Sequence, residues 1–383
     1  RQDQYAWTDK VRRLVYHDGL VACEVSTLNN DGPGNVLYML SAADGRLPIE
    51  PLDPSIDSIQ PGGGVCMRIE LGWGRVRRLW LRVFRRSYVR RMESLRQGDA
   101  KGCPHPVLDP RDVKFYRNQG GYRWDLADDP FAWRDRLPVT RVGLAELLLL
   151  GGSCLVLTLI AAWFYWPVSF VPAVLGLFVV SFFRNPRRTI PDGPGLVVAP
   201  ADGKVVAVEE LPHDDFVGGR AVLIGIFLSV FNVHLNRSPV AARVIGLTYR
   251  RGKFLNALRP ASAQENEQMA VRLEENEPPH RRMIVRQIAG AIARRIVCWV
   301  APGEDLDRGG QFGMIKLGSR TELVLPWEPG LQVRVQIGDK VRAGSSVLAQ
   351  YGRDEAQAAS RRDASRRPVS PRPASASRRD AAT

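Results

Sequence analysis

The sequence predicts a mainly β (α+β) C-terminal domain with a barrel-like hairpin architecture. An apolar membrane hairpin precedes it, and before that lies an N-terminal region that is assigned no chemistry. Three observations lead there. The run 142–183 carries one formal charge, Glu146. Short β-rich segments bounded by Gly, Pro and Asp fill 195–352. Strand-like runs with Asp-Gly pairs also recur in residues 1–74.

A chain of 383 residues has room for two or three domains. At 45% hydrophobic and 25% charged it can bury a sizeable core, which argues against a chain disordered throughout or collagen-like. Its five cysteines, Cys23, Cys66, Cys103, Cys154 and Cys298, are odd in number and scattered, with no CxxC pair. That argues against a disulfide scaffold or a zinc ribbon and suits reduced thiols on the cytosolic side. The net charge of +14 favours an anionic partner, nucleic acid or an acidic membrane surface. The sequence opens on Arg1; whether a segment precedes it is left open, and no targeting signal is read there.

Residues 1–141 form the first division. Leu20–Ser26 and Asn35–Leu40 read as strands, with turns at Asp31-Gly32 and Asp44-Gly45. Cys103-Pro104-His105-Pro106 offers one Cys and one His, too few for a metal site, and reads as a loop. No metal is expected. Residues 75–91 hold eight arginines. Between them Val76, Leu79, Trp80, Val83, Phe84, Tyr88 and Met92 recur at helical spacing. The segment near 75–92 therefore reads as a basic amphipathic helix, suited to an anionic lipid surface or equally to an ordinary protein surface; an RNA-binding arm is a weaker third reading, since no aromatic platform or known fold motif accompanies it.

The second division, 142–183, reads as the membrane-associated hairpin. About 20 apolar residues cross a bilayer core, so its length suits two crossings or one re-entrant hairpin. Trp166-Pro167 lies near its middle, where a helix breaks. Arg134, Arg136 and Arg141 precede it, and Arg184, Arg187 and Arg188 follow it. Basic residues at both ends place both ends on the cytoplasmic side. Trp163, Tyr165 and Trp166 suit the far interface.

The third division, 184–352, is β-dominated. Gly195–Val198, Lys204–Glu209, Ala221–Phe227 and Leu331–Ile337 read as strands, and Ala263–Met269 as a short helix. The tail 353–383, rich in Ala, Ser, Arg and Pro, reads as disordered and basic.

Three polar residues of the third division have the makings of a nucleophilic arrangement. Asp202 lies in the turn text Ala199–Lys204, His234 follows an apolar strand, and Ser319 follows Gly318. A serine needs a base, and a histidine base needs a carboxylate to fix its tautomer and stabilise its charge. Each residue alone is weak, since Asp-Gly is commonly a turn and a lone His is commonly structural. The text around Ser319 is not GxSxG, so an α/β-hydrolase elbow is not the explanation. Gly318 lacks a side chain, which leaves its own carbonyl open to the adjacent hydroxyl.

Residues 142–351 resemble the phosphatidylserine decarboxylase proenzymes of the short bacterial type, a group that includes archaetidylserine decarboxylases. The resemblance rests on Phe182-Phe183-Arg184-Asn185-Pro186, Ala199–Val205 and Asn232-Val233-His234-Leu235-Asn236-Arg237. It continues through Lys253-Phe254-Leu255-Asn256-Ala257, Glu265-Asn266-Glu267, Arg286–Gly290 and Ala293–Cys298. It closes on Phe312-Gly313-Met314-Ile315 and Gly318-Ser319-Arg320. Gln268 and Met269 depart from the arginine and asparagine common after Glu-Asn-Glu, and Arg320 fits the short type.

The resemblance implies autocatalytic cleavage between Gly318 and Ser319, leaving chains 1–318 and 319–383 that stay associated. Ser319 would become a covalent pyruvoyl cofactor that forms a Schiff base with the substrate. His234 would act as base, oriented by Asp202. The implied reaction is decarboxylation of phosphatidylserine to phosphatidylethanolamine, in phospholipid biosynthesis, at the cytoplasmic side of the cell membrane. Lys204, Arg237 and Lys253 are candidate contacts for phosphate or carboxylate. A homo-oligomer is compatible with all of this.

Competing classes are weaker. A catalytically dead lipid-headgroup binder would not need an intact Gly318-Ser319 with Asp202 and His234. A lipoyl-like carrier, suggested by Val333–Leu348, lacks a lysine tip for modification. A nucleic-acid partner, suggested by charge alone, leaves the apolar run unexplained, and none is expected.

Overall fold

A computed structural model describes residues 11–17, 20–29, 32–41, 46–53, 55–98, 106–115, 121–125, 127–259, 261–291, 295–316 and 318–352. The tail 353–383, the segment around Cys103 and His105, and the Asp44-Gly45 turn lie outside these residues. In chain order the strands begin with β1 (Val11–His17), β2 (Leu20–Asn29) and β3 (Gly32–Ser41). They form one antiparallel sheet in that order.

Two helices follow, α1 (Val65–Phe84) and α2 (Arg86–Leu95). The single basic helix expected near 75–92 is therefore two helices, broken at Arg85, whose backbone angles (φ −130°, ψ 41°) are neither helical nor extended. Helix α1 buries Met67 and Leu81. Met67 packs with Val107 and Tyr122. Its inward arginines are neutralised: Arg77 pairs with Asp109, and Arg78 Nη1 donates to Asp112 Oδ1 at 3.2 Å. The opposite stripe, Ile69, Trp73, Val76, Trp80 and Val83, is exposed.

The apolar run is helical from Arg141 to Phe182 and is long and apolar enough to cross a membrane. It consists of a first turn α3 (Leu144–Glu146), then α4 (Gly152–Tyr165), a 3₁₀ turn over Trp166–Ser169, and α5 (Phe170–Phe182). The turn falls at Trp166-Pro167, where proline removes a backbone donor. A Cβ built on Gly176 would lie 3.1 Å from that of Cys154, and one on Gly151 would lie 4.0 Å from Val179. Helices α4 and α5 therefore fold back on each other. Their flanks are joined as well: Thr140 N donates to Phe183 O at 2.8 Å, and Asn185 N to Pro138 O at 2.7 Å. Trp163 and Phe164, at the far end, are 87% and 82% exposed.

The remaining elements are β4 (Leu196–Val198), β5 (Gly203–Asp214), β6 (Gly219–Leu228), β7 (Leu235–Arg237), β8 (Ala242–Arg250), and the short α6 (Ser262–Glu265). Next come β9 (Gln268–Glu275), β10 (Arg282–Ile288), β11 (Arg295–Cys298), β12 (Asp305–Leu306) and β13 (Gln311–Lys316). The last are β14 (Ser319–Pro326), β15 (Gln332–Val333), β16 (Lys340–Val341) and β17 (Val347–Gln350). An eight-stranded antiparallel sheet runs β12-β8-β9-β10-β14-β6-β5-β16 and curls into a half-barrel. Two three-stranded sheets, β11-β13-β7 and β15-β17-β4, accompany it. The expected helix Ala263–Met269 is corrected: it ends at Glu265, and Gln268 and Met269 open β9, because Met269 is fully buried beside Gln287 of β10.

Strand β14 is buried along almost its whole length, flanked by β10 and β6. Alternation puts Ser319, Thr321, Leu323 and Leu325 on one face and Arg320, Glu322 and Val324 on the other. Leu323 and Leu325 join Ile224, Ile226, Leu228, Val285 and Phe312 in the main core.

The N-terminal module offers a direct test. Asp112 also accepts from the backbone N–H of Leu108 at 3.1 Å. Asp112→Ala would leave Arg78 buried and uncompensated. The expected loss is about 3–5 kcal/mol, read as faster proteolysis within 65–125 than in the β-domain.

Candidate functional site

The site is built at the passage from β13 to β14. Gly318 adopts φ +62°, the left-handed region that favours glycine. The turn can therefore deliver Ser319 straight into β14, where it pairs with Leu228 of β6. Ser319 is fully buried, and its Oγ has no hydrogen-bond partner among the described residues. A buried hydroxyl without a partner is unusual and needs an explanation. Gly290 closes the other side: a Cβ there would sit 2.1 Å from the Gly318 carbonyl oxygen.

His234, fully buried just before β7, meets this turn directly. Its Nε2 accepts the backbone N–H of Gly318 at 3.2 Å. Its Nδ1 lies 2.9 Å from Asn232 O. A carbonyl oxygen can only accept, so the proton sits on Nδ1 and the Nε2 lone pair faces Gly318. Asn232 is itself fixed, since its Oδ1 accepts from Ser229 N at 2.9 Å and Ser229 Oγ at 2.7 Å. Burial pushes the imidazole pKa down to about 4; the Asn232 carbonyl opposes that shift and Arg184 adds to it. The Phe182 ring, 4.5 Å away between centroids, covers the imidazole.

The other sequence candidates are placed differently. Among the described contacts Asp202 does not touch His234. Its Oδ2 accepts from Arg188 Nη2 at 2.6 Å, and its Oδ1 from Ala343 N at 2.7 Å. The Asn232 carbonyl holds the position on His234 that Asp202 was expected to fill. Arg237 is buried, donates to Gly309 O at 2.8 Å, and has its pKa lowered by burial and then by Arg188, with Asp202 opposing. Lys204 is exposed at the start of β5. Lys253 is exposed and pairs with Glu265 at 2.8 Å, which raises its pKa.

A polar network missed at the sequence level lies beneath Ser319. Asn236 Nδ2 donates to Thr321 Oγ1 at 3.0 Å, and Gln287 Nε2 donates to Asn236 Oδ1 at 2.9 Å. All three residues are fully buried. Their motifs were visible in sequence, but no local signal joins positions this far apart. Asn232 acts through its backbone and could not have been found from its side chain.

Comparison with known proteins bears on this constellation. The family model described as phosphatidylserine decarboxylase matches residues 175–349. Over 239 residues the chain is 54% identical to a phosphatidylserine decarboxylase proenzyme of Rhodopirellula baltica, covering 62% of this chain and 99% of that relative. The chain belongs to the phosphatidylserine decarboxylase family. Relatives with the same description from Symbiobacterium thermophilum and Desulfotalea psychrophila are 47% and 39% identical. They cover 52% and 56% of this chain, and 91% and 97% of their own lengths. The family match includes Asp202, His234, Gly318 and Ser319, and leaves residues 1–174 outside it.

Gly290→Ala tests the packing against the Gly318 carbonyl. Overpacking of this kind costs about 1–3 kcal/mol. The variant is expected to be less stable in a denaturant melt and to shift the His234 side-chain resonances. An unchanged protein on both measures would mean that the Gly318 carbonyl has room to move.

Proposed function

We propose that this chain is a self-processing phosphatidylserine decarboxylase that makes its own pyruvoyl group from Ser319. The observation that carries the reading is the buried Ser319 Oγ, without a hydrogen-bond partner among the described residues, beside left-handed Gly318, with the lone pair of neutral His234 already at the Gly318 N–H. These residues fit a group generated in place, since a serine hydroxyl kept dry and unpaired is free to attack its neighbour.

In the proposed cleavage, Ser319 Oγ attacks the Gly318 carbonyl carbon. A C–O bond forms, the C–N bond between the two residues breaks, and the hydroxyl proton ends on the released amine of Ser319. His234 Nε2 is the base that relays this proton once the Ser319 side chain turns toward it. Loss of the Ser319 Cα proton then breaks the Cβ–Oγ bond and frees the Gly318 carboxylate. Water hydrolyses the resulting enamine and ammonia leaves. The pyruvoyl group would supply an electron sink for the pair released as carbon dioxide leaves phosphatidylserine. His234 is also the candidate that returns a proton to the substrate carbon. Arg237 and Arg188 beside Asp202, with Lys204 and Lys253 at the surface, are the candidates for phosphate or carboxylate.

The cleaved chains would stay together because they share sheets. Residues 319–352 provide β14 between β10 and β6, β16 against β5, and β17 against β4. In the same reading the helical run 141–182 seats in the cytoplasmic leaflet or spans the cell membrane as a hairpin. The paired flanks at Thr140–Phe183 and Pro138–Asn185 support placing both ends on one side. The exposed apolar stripe of α1, flanked by Arg75, Arg82, Arg85 and Arg86, suits the anionic surface beside it.

Intact mass under denaturing conditions tests the reading. The wild type, expressed in membranes, is expected as two fragments meeting at Gly318/Ser319, the smaller with a ketone in place of its amino terminus. Ser319→Ala and His234→Ala should stay whole. Asp202→Asn should slow cleavage less than His234→Ala, because Asp202 holds Arg188 and the Ala343 amide rather than the imidazole. A wild type that remains one chain sinks the mechanism in favour of a lipid-binding homologue.

The pH dependence follows from His234. Its folded pKa is depressed to about 4, so the base form is present at neutral pH and is lost only as pH falls through that value. The self-cleavage rate of freshly translated chain should be level between about pH 5 and about pH 8. A midpoint near the ordinary imidazole value would show that the ring is solvated in the reacting state.

A further inference from the structure

The helical run contains a charge that its apolar character does not explain. Glu146 is the one formal charge between Val142 and Phe183, and it is only 4% exposed. It does not face outward with its neighbours Leu148, Leu149 and Leu150, which are exposed. Its Oε1 is held by Lys316 Nζ and lies 3.5 Å from Arg295 Nη1. Its Oε2 has no hydrogen-bond partner among the described residues.

Lys316 is the last residue of β13, two positions before Gly318. It is buried and also approaches Val142 O at 3.4 Å. Arg295 is its cross-strand partner on β11. The start of the helical run is thus tied to the strand end that feeds the scissile turn. The end of the run reaches the same place: Phe182 covers His234, and Val179, Phe182 and Phe183 pack with Val233, Leu235, Val297 and Met314. One end of the run bears on the turn and the other on the base.

We propose that Glu146 is a positioning residue for self-cleavage. Through Lys316 it fixes where β13 ends, and so sets the Gly318 carbonyl against Ser319 Oγ. The proposal rests on the self-cleavage reading above and adds a dependence on how the apolar run is seated. A buried carboxylate facing two cations has a defined place to sit, because leaving that place strands opposite charges away from water. A strand end displaced by about 1 Å can cost a hundredfold in a step that needs close approach.

The test is the rate at which proenzyme becomes two chains, followed by intact mass during membrane-coupled translation. Wild type, Glu146→Asp and Glu146→Gln are compared, with thermal midpoints of the Ser319→Ala background of each. Gln keeps the volume but loses the charge; Asp keeps the charge on a shorter stem. Positioning by charge predicts the order wild type, then Asp, then Gln, with Gln slowed at least about tenfold. A role in packing alone predicts that Gln cleaves like wild type and Asp is the slower variant, and that order overturns the proposal. Equal rates for all three overturn it as well. If Glu146→Gln does not accumulate, Lys316→Gln asks the same question from the sheet, and cleavage at the wild-type rate there overturns the proposal. A wild type that never cleaves removes the underlying reading, and is distinguished from all of these by the wild-type lane alone.

Discussion

Leaving a buried hydroxyl without a hydrogen bond costs about 1–3 kcal/mol, and among the described residues the fold gives Ser319 Oγ no partner. Strand β14 cannot move away from it, because β10 and β6 pair with it on both sides. The face it shares with Thr321 also carries the carboxamides of Asn236 and Gln287, whose amide groups donate to Thr321 Oγ1 and Asn236 Oδ1 rather than to the serine. The dry position is a property of the sheet. It is paid for by the surrounding core of Leu228, Ile226, Leu323 and Phe312.

The same constraint explains the environment of His234. A charged imidazole could not sit under Phe182 with no exposed surface, so burial keeps the ring neutral. The Asn232 carbonyl then selects the tautomer, and the free lone pair meets the Gly318 N–H. The imidazole and the Gly318 turn are brought together by backbone groups, which tolerate burial in a way that an extra carboxylate would not. Asp202 makes its described contacts to Arg188 and to the Ala343 amide, joining the loop before β5 to the loop after β16.

The helical run packs against this arrangement at both of its ends. Its flanks are hydrogen-bonded to each other, its first turn carries Glu146 to Lys316, and its last turn carries Phe182 to His234. Residues 146 and 316 are 170 positions apart in the chain. A single charge in an apolar run was plain in the sequence, yet its partner could be identified only when the run was folded against β13.

Much was nevertheless legible without coordinates. The strand text of β5 and β6 bounded by Gly, Pro and Asp, the break at Trp166-Pro167, and the Gly318-Ser319 dipeptide are local features, which adjacent residues encode. The helix over 263–269 was misread because apolar Met269 was claimed by β10 through long-range pairing, which outweighs local propensity. The chain itself determined the chemical inventory: a serine after a glycine, one histidine after a strand, a long apolar run. Tertiary structure decided which of these meet. Contacts between His234 and Gly318, or Glu146 and Lys316, depend on strand register and on burial, and neither is a property of any short stretch of sequence.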